Sequence, residues 1–134
     1  MAKILVIDDR KTAFLHSLKE FAGKDYEISS TANIGAVRDD MAQNRPDLVI
    51  LNLLLNGAYG WDVFFDIKVT APCIPVIITS SDDKSMYDRR FSMADESLIG
   101  EFFSLEELTE KINTVISQSA RKNCHETGGF LYAV

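Results

Sequence analysis

Four consecutive apolar residues, Leu48-Val49-Ile50-Leu51, are fenced by Pro46-Asp47 on one side and Asn52 on the other, and this stretch constrains the fold more than any other. The run is too short for a typical helix and shows no alternation, so it reads as a strand buried on both faces. Asn52 therefore stands at or near the carboxyl end of that strand, before a loop punctuated by Gly57 and Gly60. In an open parallel sheet, ligands bind at that end, because the loops diverge there and leave a crevice.

The remaining chain alternates between the two periodicities. Lys3-Ile4-Leu5-Val6-Ile7 is a β-branched run that delivers Asp8 and Asp9 to its own carboxyl end. Phe14, Leu15, Leu18 and Phe21 fall on one helical stripe that stops near Gly23. Tyr26 to Ser30 is a more polar strand, suited to a sheet edge. Asn33 can cap a second helix with Ile34, Val37 and Met41 on its apolar face, ending before Pro46. Trp61, Phe64, Phe65 and Lys68 suggest a third helix with an aromatic buried side. Ile74 to Ile78 forms the next strand, with Pro75 tolerated at its start and Thr79 at its end. Residues 81–93 read as a short or irregular helix, and Leu98-Ile99 as a brief fifth strand. Ser104 and Glu107 make a capping box for a helix carried by Leu105, Leu108, Ile112, Val115 and Ile116 to about Gln118.

Five strands alternating with five helices imply an α/β flavodoxin-like (βα)5 fold, a doubly wound parallel sheet in a three-layer sandwich with right-handed crossovers. The expected strand order, 2-1-3-4-5, brings the ends of strands one, three and four together. A single domain over residues 1–118, with a tail over 119–134, fits the length of 134 residues.

Charge narrows the function. With 14 basic against 20 acidic residues and a net charge of -6, the chain lacks the basic surface that nucleic-acid binding needs. Arg89-Arg90 and Arg121-Lys122 are the basic pairs, and each reads as a solvated face. Ile4 to Ile7 is too short for a signal peptide or membrane span, so a cytoplasmic location is expected, with neither membrane nor DNA as a direct partner. Cys73 and Cys124 show no metal-ligand spacing and read as free thiols.

Asp8, Asp9, Asn52 and Thr79 should converge on one crevice at the carboxyl ends of neighbouring strands. Acids and hydroxyls at strand ends also serve as helix caps. No Ser-His-Asp order, glycine-rich phosphate loop or HExxH motif is present, so an enzyme built on the acid pair and Thr79 is disfavoured. Neither His16 nor His125 falls near the crevice in sequence.

Over roughly residues 3 to 118 the chain resembles the CheY-like receiver domains of response regulators, the modules of two-component, phosphorelay signalling. The likeness rests on Ile7-Asp8-Asp9-Arg10, the Asn52 segment, Pro75-Val76-Ile77-Ile78-Thr79-Ser80, Ala94-Asp95-Glu96 and Phe102-Phe103-Ser104-Leu105-Glu106-Glu107-Leu108. The resemblance implies an acidic pair at Asp8 and Asp9 that helps hold magnesium with the Leu54 carbonyl. It further implies a phosphoacceptor at position 52, a switching hydroxyl at Thr79, and a lysine, proline and aromatic that correspond to Gly100, Glu101 and Ser97.

The sequence departs from that pattern at its centre. Asn52 replaces the acceptor aspartate, and an uncharged carboxamide has no oxyanion to attack phosphorus. Gly100 supplies no ammonium to neutralise a transferring phosphoryl group. Glu101 leaves the preceding bond trans, since a cis bond without proline costs about 2.5 to 4 kcal/mol. Losing one negative and one positive charge together keeps the local sum unchanged, as expected of a site altered as a unit. With two acids instead of three, no cofactor is required and magnesium binding is expected to be weak.

These features point to a degenerate pseudo-receiver that is not an enzyme and acts by protein-protein interaction. A histidine kinase or downstream effector is the expected partner, and a homodimer is an option. The expected partner surface holds Tyr87, Phe91, Glu101, Phe102, Glu106 and Glu110. The alternative is a phosphorelay receiver that still accepts phosphate at Asp8, Asp9 or Ser80. The tail ends in Phe130-Leu131-Tyr132-Ala133-Val134 after Gly128-Gly129, and reads as a segment that docks as a strand or plug, beside the fifth strand or on a second molecule.

Overall fold

The computed structural model describes residues 1–8, 13–52, 54–55, 58–80, 98–100 and 105–120. Chain order runs β1 (Ala2–Ile7), α1 (Ala13–Ala22), β2 (Tyr26–Thr31), a 3-10 turn (Ile34–Ala36), α2 (Val37–Asn44), β3 (Leu48–Asn52), β4 (Leu54–Leu55), β5 (Ala58–Tyr59), α3 (Trp61–Thr70), β6 (Val76–Ser80), β7 (Leu98–Gly100) and α4 (Leu105–Ala120). The main sheet is parallel with order β2-β1-β3-β6-β7, as the sequence predicts. The helix expected at 81–93 lies outside the described residues.

Strand alternation builds two cores, because successive side chains leave a sheet on opposite faces. On one face Leu5, Ile7, Val49, Leu51, Val76 and Ile78 meet Val37 and Met41 of α2 and Trp61, Phe64 and Ile67 of α3. On the other, Ile4, Val6, Leu48, Ile50 and Ile77 meet Leu18 and Ala22 of α1 and Leu108, Ile112 and Val115 of α4. Every residue of β3 is buried, as a strand covered on both faces requires. At its amino end the Lys3 amide donates to Asp47 Oδ2 at 2.8 Å and the Asp47 amide returns a bond to the Lys3 carbonyl at 2.7 Å. These two bonds fix the register of β1 against β3 before the apolar pairs begin.

Several expectations need correction. Phe21 is 49% exposed, because the buried stripe of α1 runs through Leu18 and Ala22 and leaves Phe21 on its flank. Ile34 is 44% exposed: Asn33 Oδ1 accepts from the Gly35 amide at 2.9 Å and closes a 3-10 turn, so the α-helix starts only at Val37. The strand expected over 74–78 occupies Val76–Ser80, with Pro75 just ahead of it accepting from the Val49 amide at 3.0 Å. The loop after Asn52 is not plain coil, since Leu54 pairs with Tyr59 and Leu55 with Ala58 in a two-rung antiparallel ladder. Cys73 is disulfide-bonded and is not a free thiol; Cys124 lies outside the described residues.

Two helix ends show how tightly the chain is turned. At Gly23 the amide bonds to the Lys19 carbonyl at 2.8 Å, and a Cβ there would meet that oxygen at 2.2 Å, so a side chain is excluded. Arg45 ends α2 in the left-handed region at φ 45, just before Pro46. Glycine is the residue that takes that conformation without steric cost.

Candidate functional site

Register alone assembles the site. Ile7 pairs with Leu51, so the next residues, Asp8 and Asn52, leave their strands side by side. Asn52 in turn pairs with Thr79, and Thr79 with Ile99. Neighbouring parallel strands thus bring an acid, an amide and a hydroxyl to one edge of the sheet.

The side chains make contact. Asn52 Nδ2 donates to Asp8 Oδ1 at 3.1 Å across the gap between β1 and β3. Asn52 is 3% exposed and Asp8 half-buried, so the bond is made largely away from solvent. A hydrogen bond to a charged acceptor in such a setting contributes about 1.5 to 3 kcal/mol. The Thr79 hydroxyl, also buried, lies 3.5 Å from the Leu51 carbonyl, at the long limit of a hydrogen bond. The Asp8 amide donates to the Thr31 carbonyl at 3.1 Å, which ties the acid's backbone to β2.

Gly100, expected in the lysine position, ends β7 opposite Ser80 of β6. Leu54 opens β4, two positions after Asn52. Glu106 and Glu110 are exposed on α4. Asp9, Ser97, Glu101, Tyr87, Phe91 and Phe102 lie outside the described residues. Among the described residues no group of three or more His, Cys, Asp or Glu side chains is placed to hold a metal. Nor is any described helix long and apolar enough to cross a membrane.

Beside the crevice, α3 carries features that sequence reasoning treats only in part. Trp61 packs edge-on against Phe64 at 5.7 Å and stacks with Phe65 at 6.2 Å. Lys68 is only 3% exposed, its Nζ 3.5 Å from the Ile74 carbonyl and 5.9 Å from the centre of the Phe64 ring. Its apolar stem suits the aromatic side, which is why a lysine sits on the buried stripe. Arg38 of α2 forms a two-pronged pair with Asp66 of α3, Nε reaching Oδ2 at 2.8 Å and the second nitrogen meeting Oδ1. That hydrogen bonding holds the Asp66 carboxyl below the usual carboxylate range, against the opposing effect of its partial desolvation.

A doubly wound sheet with polar residues gathered at the carboxyl ends of β1, β3 and β6 defines the CheY-like class of flavodoxin-like α/β folds. The CheY-like receiver domain protein of Methanospirillum hungatei JF-1 superposes with a TM-score of 0.79 at 19% identity, covering 92% of this chain and 99% of that one. A receiver domain from Clostridium thermocellum gives 0.76 at 22% identity, covering 90% and 98%. In sequence, response regulator MprA of Mycobacterium sp. (strain KMS) is 22% identical over 119 residues, 88% of this chain and 52% of that protein. The chain thus spans about half the length of the curated relatives it matches. The profile of the response regulator receiver domain matches residues 4–113, and the chain belongs to that family.

Proposed function

We propose that this receiver domain of two-component signalling no longer switches by phosphorylation at position 52, and that it acts by binding partner proteins. The observation that carries this reading is the bond from Asn52 Nδ2 to Asp8 Oδ1. An amide that donates its N–H is the electronic opposite of an oxyanion that attacks phosphorus, so the position favours a closed hydrogen-bonded contact over phosphoryl transfer.

Magnesium fits poorly for the same reason. The cation needs oxygen ligands, whereas the amide turns its nitrogen toward Asp8 and occupies one carboxylate oxygen. A metal at Asp8 would have to break that bond and turn the amide over. Weak magnesium binding follows.

In the pseudo-receiver reading the domain presents a surface of fixed shape to a histidine kinase or an effector. Glu106 and Glu110 on the exposed side of α4 suit a partner with complementary basic groups.

The test is incubation of the full chain with acetyl phosphate and magnesium, read by intact mass. The expected mass is that of the unmodified chain, with the Asn52→Asp chain treated in parallel as the comparison. Gain of one phosphoryl group by the unsubstituted chain overturns the reading, and peptide mapping would then locate it at Asp8, Asp9, Ser80 or elsewhere.

A further inference from the structure

We draw no further inference here: the strongest candidate, the cavity of about 440 Å3 at the strand-start end of the sheet between Pro46, Asp47, Cys73, Pro75 and Ile116, has an open, half-polar lining whose Asp47 carboxylate already accepts from the Lys3 amide, and nothing in the structure shows what covers it.

Discussion

Substituting Asn52→Asp puts a carboxylate where the amide nitrogen now stands, 3.1 Å from Asp8 Oδ1. Two unit charges at that separation repel by about 5 kcal/mol at an effective dielectric constant of 20, and by about 1.3 kcal/mol in bulk water. The amide's bond to the acid is lost as well, at about 1.5 to 3 kcal/mol. Taking up a proton relieves both effects, since a protonated carboxyl can donate as the amide does. At pH 7 that proton costs an acid of ordinary pKa about 4 kcal/mol. The penalty therefore saturates, and Asn52→Asp should destabilise the domain by about 3 to 4 kcal/mol at pH 7 without divalent cations. The introduced carboxyl has its folded pKa raised, so the penalty is absent below the unfolded value near pH 4. It grows by about 1.4 kcal/mol per pH unit until the folded pKa is reached. Magnesium at about 10 mM should narrow the gap, because a further carboxylate improves the cation site. The assay is denaturant unfolding of both chains from about pH 4 to about pH 8, with and without magnesium. A gap below about 1 kcal/mol at pH 7, or one that does not shrink on acidification, would refute the reasoning.

Phe64→Ala removes a fully buried ring packed against Trp61 and Phe65, and should cost about 3 to 5 kcal/mol in denaturant unfolding with the slope unchanged. Arg45→Gly relieves the left-handed backbone at φ 45 and should stabilise by about 0.5 to 1 kcal/mol; a lower melting temperature would count against the strain. Asp66→Asn removes a carboxyl whose pKa is depressed, chiefly by hydrogen bonding to Arg38. The contribution of Asp66 is present above the unfolded carboxylate pKa and is lost as pH falls through the folded one. A small melting-temperature difference at neutral pH, shrinking in acid and in high salt, is therefore expected.

The sheet was legible because its central strands are short, mainly apolar and bounded by proline, acid or amide, while β2 keeps the more polar pattern of an edge. Leu48 to Leu51 admits no other reading, and the placement of Asp8, Asn52 and Thr79 follows from it. Helix faces were harder to read. A periodic stripe fixes the angle between residues but not which edge meets the sheet, so Phe21 and Ile34 were assigned inward and lie outward. Asn33 is a capping residue either way; only the geometry shows that it closes a 3-10 turn. The ladder of β4 and β5 has two rungs, too few to leave an alternation. The disulfide at Cys73 has no local signature, because no other cysteine lies near it in sequence. The direct bond between Asn52 and Asp8 depends on strand register, which sequence spacing cannot supply.

The chain contains one tryptophan, and it is a buried ring at the first position of α3, one residue after the loop that leaves Asn52. Trp61 is therefore a native optical probe at the start of α3. A change at this end of α3 alters the surroundings of the indole and its two phenyl neighbours, so emission colour and intensity respond to it as well as to loss of the fold. Cation titrations and partner titrations can thus be followed in unlabelled protein, with no dye to disturb the surface under study.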